Sequence, residues 1–197
     1  PPYGLERFKK GSIRLDNTEK SRNGFKWDIK PDQKYFDELF RVSVNQIIWG
    51  ANNFTLPQSE YFIVWDKEQT VDNFASAEYE YTNIKKPAQI FRHSIHKEMF
   101  ARRAECGKIH PTQKPVALYK WLLSRYAKPG DRILDTHGGS GSICIACHDL
   151  GYDLTWMELD KDYYEAAVER YKNHAAQASL FDPVELTKET ATHELFD

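Results

Sequence analysis

Two kinds of apolar pattern alternate along the chain. Short runs at Gln46–Trp49, Tyr61–Trp65, Ala77–Thr82, Arg132–Asp135 and Leu154–Met157 have the length and the β-branched or aromatic content of strands. Between them lie stripes at helical spacing. Tyr35, Phe36, Leu39 and Phe40 follow a Pro31-Asp32 start signal, and Val116, Leu118, Trp121, Leu122 and Leu123 lie within Pro115–Tyr126. Ile143–Leu150 ends at Gly151, and a last helix is expected from Lys161 to about His174. Tyr61–Trp65 and Ala77–Thr82 are expected to pair as a hairpin, and Asn52-Asn53 with Pro57 marks a turn before them. Pro1-Pro2-Tyr3-Gly4 reads as a rigid extended loop leaving a strand end, and residues 5 to 30 as a long polar loop punctuated by glycine. Helices alternating with short apolar strands predict an α/β fold, a Rossmann-like sheet with helices on both faces. Residues 1–176 are expected to form a single domain, followed by a polar tail over 177–197.

One stretch joins these elements to chemistry. After the strand Arg132–Asp135 come Gly138, Gly139 and Gly141, then a helix, then a strand whose tip carries Glu158. Strand, glycine turn, helix, strand and terminal carboxylate is an order that cradles a nucleoside. Glycines allow close backbone approach, the helix start offers free N–H groups, and an acid on the second strand accepts from ribose hydroxyls. A dinucleotide fingerprint would want a third glycine where Cys144 stands, and a phosphate-binding loop would want a lysine after the glycines, where none occurs. An adenosine-type cofactor is left, with Asp135 facing a charged methionine tail.

Composition narrows the partners. The chain has 197 residues, enough for one sizeable core, with 27 basic and 29 acidic residues. That balance becomes informative only by region. Lys85, Lys86, Arg92, Lys97, Arg102, Arg103, Lys108 and Lys114 face only Glu98 and Glu105 within 85–114, whereas acids crowd the sequence after Gly130. The segment 85–110, with Lys85, Lys86, Arg92, Arg102, Arg103 and Lys108, is therefore the candidate face for a polyanion. No run is long and apolar enough for a membrane span. Cys106, Cys144 and Cys147 make no disulfide framework, so a reducing cytoplasm is the expected setting. The Cys144-Ile-Ala-Cys147 spacing could suggest a metal, but inside a predicted helix two core-facing thiols are expected. His93, His96, Cys106 and His110 are too irregularly spaced for a zinc site, and no metal is expected.

Three motifs carry a resemblance. Pro1-Pro2-Tyr3-Gly4 resembles the end of the Asp-Pro-Pro-Tyr motif of amino-methylating DNA methyltransferases. His110-Pro111-Thr112-Gln113-Lys114-Pro115, followed by a helix and Pro129-Gly130-Asp131, resembles the segment that precedes their cofactor motif, and the glycine stretch resembles that motif itself. Catalytic motif first and cofactor motif last is the order of the permuted β-group of N6-adenine and N4-cytosine enzymes. The resemblance runs from Pro1 to about Tyr171 and implies S-adenosylmethionine as cofactor and DNA as substrate. By that match Pro1, Pro2 and Tyr3 are catalytic: the Pro1 carbonyl accepts from the target amine, and Tyr3 stacks on a flipped base. Thr112, Lys114, Asp135, His137, Gly139, Gly141, Glu158 and Leu159 match cofactor contacts, with Thr112 and Lys114 at the methionine end, Glu158 on the ribose and Leu159 beside the adenine.

The sequence departs from the family pattern twice. His137 stands where the family usually has phenylalanine. The family's catalytic Asp would immediately precede Pro1, and its preceding strand–helix–strand is not in the sequence, so the chain is expected to be part of a longer protein with strands missing from its central sheet. The resemblance favours adenine N6 methylation. N4-cytosine methylation, an RNA methyltransferase and a catalytically degenerate nucleic-acid-binding relative stay open, as does a restriction-modification against an orphan or phage setting. In the tail, Gln177-Ala178-Ser179-Leu180-Phe181 resembles the short peptide by which bacterial DNA enzymes dock on the replication sliding clamp, with Gln177, Leu180 and Phe181 as its anchors.

Overall fold

Glycine ends some of the observed elements, and aspartate caps start others. In the computed structural model, which describes residues 29–69, 75–94 and 109–177, the order is helix α1 (Gln33–Val42), strand β1 (Ile47–Trp49), a 3-10 turn (Ala51–Asn53), β2 (Phe62–Asp66), β3 (Ala77–Thr82), β4 (Gln89–Arg92), α2 (Val116–Tyr126), β5 (Arg132–Asp135), α3 (Ser142–Leu150), β6 (Asp153–Trp156) and α4 (Lys161–Ala175). Helix starts follow side-chain caps where the sequence offers them. Asp32 accepts from Tyr35 N at 3.0 Å and Asp160 from Asp162 N at 3.0 Å and Tyr163 N at 3.2 Å. Gly151 ends α3 in the left-handed conformation, at φ +72°.

The strands form two sheets among the described residues. One is four-stranded in the order β1-β3-β2-β4, and the other pairs β5 with β6 in parallel. The expected hairpin partners β2 and β3 run antiparallel, with Val64 opposite Tyr79. The strand β4 was not expected: it lies inside the basic segment 85–110 and runs parallel to β2, with Trp65 opposite Phe91. Only alternate positions of β4 meet the core, Phe91 being buried and Ile90 and Arg92 exposed, so four residues held too little periodicity to be seen in sequence.

Helix α2 packs between the two sheets. Leu118 and Leu122 press on Ile63, Trp65 and Phe91 of the larger sheet. Leu123 turns the other way, into a cluster with Ile143, Cys144, Ala146 and Cys147 of α3 and with Ile133, Leu154 and Trp156 of the smaller sheet. On the opposite face of the larger sheet, Phe36 of α1 packs with Ile48, Ala51 and Tyr81. The architecture is α/β with helices on both faces of the strands. Cys144 and Cys147 are free and buried in the α3 core, and burial pushes their thiols up to about 12 and about 11. They are packing residues, as the helical context suggested. No helix of the described residues is long and apolar enough to cross a membrane.

Candidate cofactor site

The site grows from the end of β5. Beyond the last paired residues of the two strands, Met157 N donates to Asp135 O at 2.9 Å and Gly138 N to Met157 O at 2.7 Å, so the strand pairing extends into the glycine turn. Gly138 is forced by packing: a Cβ there would lie 2.2 Å from the Trp156 ring. Gly141 adopts φ +69°, where a Cβ would also meet the Cβ of Ala167 at 3.0 Å, and it starts α3. These two glycines therefore let strand, turn and helices α3 and α4 close on one another. The sequence had suggested ligand approach as their reason. Gly139 is the more open position, with the His110 ring 3.6 Å from a notional Cβ.

Glu158 locks the turn. Its Oε2 accepts from Gly139 N and its Oε1 from Asp160 N, both at 2.8 Å. A carboxylate has about four acceptor positions, so each oxygen keeps one for a further donor. The same side chain thus braces the glycine loop and the start of α4 while remaining able to accept from a diol.

Asp135 and His137 stand within electrostatic reach of each other, of Lys114 and of Glu158. Burial raises the Asp135 pKa, although its Oδ1 accepts from His137 N at 2.9 Å and the nearby Lys114 ammonium pulls the other way. Burial lowers that of His137, which favours the neutral imidazole. Lys114 is anchored through its backbone, its carbonyl accepting from Ser142 Oγ at 2.8 Å, while its side chain is only 10% exposed. Ser142 Oγ also accepts from Arg170 of α4 at 2.9 Å, so three elements hold this corner. Thr112 has its hydroxyl 3.1 Å and its N–H 3.2 Å from His110 Nδ1. The His110 ring is buried edge-on against Tyr163 at 4.4 Å. Leu159 is 86% exposed beside Glu158.

Three neighbours escaped the sequence reading. Tyr35, placed on an apolar helix stripe, carries its hydroxyl 2.6 Å from Thr136 Oγ1 and its ring 5.5 Å from the His137 ring. Burial raises its pKa, against the Thr136 hydrogen bond. Tyr119 on α2 is driven well above its ordinary value by burial, with Asp135 and Glu78 both adding to the rise. Glu78 of β3 reaches Lys114 from the larger sheet, Oε2 to Nζ 3.7 Å. No local motif marks any of these; helix packing across the chain brings them in.

Of the basic residues in the segment 85–110, three are described. Lys86 hydrogen-bonds the Arg125 carbonyl and lies over the Tyr126 ring at 5.2 Å. Arg92 pairs with Asp66 at 3.4 Å, and Lys85 is exposed. Arg102, Arg103 and Lys108 lie outside the described residues, as do Pro1, Pro2 and Tyr3 and the tail residues Leu180 and Phe181. Gln177 is described at the end of α4, its N–H donating to His174 O at 3.1 Å.

Known proteins are similar to this chain over part of their length. Over 90 residues, 46% of this chain, the sequence is 32% identical to the type II methyltransferase M.HpaI of Haemophilus parainfluenzae, and the matched stretch is 28% of that protein. The crystal structure of the M1.HpyAVI–SAM complex aligns with 55% of this chain and 60% of its own at 23% identity, with a TM-score of 0.42. The cytosine-N4-specific PvuII DNA methyltransferase aligns with 66% of this chain and 55% of its own at 12% identity, with a TM-score of 0.44. The DNA methylase model that groups N6 and N4 methyltransferases matches residues 6–169, most of the sequence, and the chain belongs to that DNA methylase family.

Proposed function

We propose that this chain binds S-adenosylmethionine and takes part in methylating an exocyclic amine of DNA, adenine N6 in the first place. The observation that carries the reading is the Glu158 bridge: a carboxylate at the tip of β6 hydrogen-bonded to Gly139 N, with acceptor capacity left over beside the loop. The donor set fits the cofactor. Asp135 suits an ammonium group, Lys114 a carboxylate, Glu158 a ribose diol, and the exposed Leu159 and Met157 an adenine face. When bound, S-adenosylmethionine supplies a methyl group on an electrophilic sulfonium.

The remaining work falls to side chains of the protein. An exocyclic amine is a weak nucleophile because its lone pair is delocalised into the ring. Acceptors at the motif that ends in Pro1, Pro2 and Tyr3 draw that amine toward tetrahedral geometry, and the Tyr3 ring stacks on the flipped base. Lys85, Lys86 and Arg92, with Arg102, Arg103 and Lys108, contribute phosphate contacts. Gln177, Leu180 and Phe181 hook the protein to a sliding clamp in the bacterial or phage-infected cytoplasm.

Mass spectrometry of DNA digested after reaction with S-adenosylmethionine and a protein containing this chain tests the reading. N6-methyladenine is the expected product. N4-methylcytosine would replace the base assignment, and no methylated base would remove the activity.

A further inference from the structure

A chain of alternating charges connects the candidate site to the larger sheet. Lys114 Nζ lies 3.7 Å from Glu78 Oε2 and 5.0 Å from the centroid of the Trp49 ring. Glu78 Oε1 lies 2.7 Å from Lys67 Nζ, which in turn sits 5.1 Å from the Trp65 ring. Two ammonium groups, each against an indole, thus share one carboxylate, with side-chain exposures of only 10% for Lys114, 16% for Lys67 and 26% for Glu78. Burial alone would raise the Glu78 pKa, but Lys114 and Lys67 overcome it and hold the group at about 2, so Glu78 is ionised at neutral pH.

The second carboxyl on this face does not complete the balance. Glu80 is fully buried between Trp49 and Ile63 of the neighbouring strands, and neither oxygen has a hydrogen-bond partner among the described residues. A carboxyl in such surroundings is neutral, because an unpaired buried charge is far costlier than a proton. Among the described residues of this sheet face, two positive charges therefore meet one negative charge, and Asp135 acts on Lys114 from the glycine turn on the other side. Glu78 is the carboxylate partner of Lys114 among the described residues, at a distance too long for a hydrogen bond, so the ammonium retains donors for another acceptor.

We propose that Glu78 is a positioning residue for Lys114, and that the Lys67–Glu78–Lys114 triad receives the carboxylate at the amino-acid end of the cofactor. This rests on the cofactor reading above and extends it to two residues outside every motif in the sequence. Glu78 holds the Lys114 ammonium between the sheets instead of letting it swing into water. Lys67 keeps Glu78 from neutralising Lys114 completely.

Calorimetry with two nucleosides separates this role from general stability. S-adenosylhomocysteine carries the amino-acid end, and 5′-methylthioadenosine lacks it. Glu78→Gln, which releases the Lys114 ammonium from its place despite leaving more net positive charge, and Lys67→Met, which leaves Glu78 to neutralise Lys114, are each expected to weaken S-adenosylhomocysteine about tenfold, while 5′-methylthioadenosine changes less than about twofold. Glu78→Asp recovers part of the loss. Unchanged or tighter S-adenosylhomocysteine binding in Glu78→Gln or Lys67→Met overturns the proposal, and so does an equal loss for both nucleosides. Those outcomes leave the cofactor reading standing. A wild-type protein that binds neither nucleoside overturns both.

Discussion

Replacing Glu80 by Gln removes a proton-binding group from the apolar face of β3 with little change of shape. Glu80 is 0% exposed, lies opposite Trp49 and Ile63, and has two oxygens without partners among the described residues. Burial, reinforced by the charge of Glu78, pushes its pKa from 4.5 to about 10. In the unfolded chain the group ionises near 4.5, so between that pH and about 10 the folded state holds a proton that the unfolded state has released. Stability contributed by this residue is present in full below about 4.5 and falls as the pH rises through that window. Each step of one pH unit costs about 1.4 kcal/mol, which makes the loss about 3 kcal/mol by pH 7. That is a large part of the roughly 5–15 kcal/mol by which domains are stable. Glu78, held at about 2, titrates below the window and does not mask the effect. Urea unfolding of wild type and Glu80→Gln at a series of pH values reads the difference directly. An amide still leaves buried polar atoms, but that cost does not vary with pH, so the slope is the signal. The advantage of the variant should grow by about 3 kcal/mol from about pH 4.5 to pH 7. Parallel stability curves would show that Glu80 is charged in the folded protein, and would refute both the neutral carboxyl and the charge count built on it.

Glu158→Ala should weaken S-adenosylhomocysteine binding by about 1.5–3 kcal/mol, the range for hydrogen bonds to a charged group, while Tyr3→Ala spares binding and lowers turnover. Calorimetry and a methyl-transfer assay run side by side check this, and equal losses of affinity in the two variants would break the division of roles. Gly138→Ala has no room beside Trp156, where the added Cβ would lie 2.2 Å from the ring, so urea unfolding should find it destabilised by about 1–3 kcal/mol. Wild-type stability in that variant would mean that the turn and Trp156 can separate at no cost. A protein carrying Leu180→Ala and Phe181→Ala should lose binding to purified sliding clamp that wild type retains; no binding by wild type, or equal binding by both, ends the clamp proposal.

The elements of the glycine-rich half were legible because their signals are local. A glycine turn must follow a strand and open a helix, and the acid at the next strand's tip lies only 20 residues beyond Gly138, so the order of strand, turn, helix and strand could be read from spacing, while the roles expected of Asp135, Gly139, Gly141 and Glu158 came with the family resemblance. The hairpin partners β2 and β3 and the four helices among the described residues were visible for the same reason, since apolar periodicity over a few turns needs no distant partner. Strand β4 was not, because its pairing with β2 comes from tertiary contact and its exposed Ile90 and Arg92 hide the pattern.

Long-range packing decided the rest. Tyr35 meets Thr136 across 101 positions of sequence, and Glu78 meets Lys114 only because α2 lies between the two sheets. Sequence spacing cannot tell a surface lysine from one held on an indole beside a shared carboxylate. Nor can it tell a glycine needed for a ligand from Gly138, which is needed for Trp156. Charge on a buried side chain depends on what surrounds it in three dimensions, which is why Glu78 and Glu80, two positions apart on one strand, are held at about 2 and about 10.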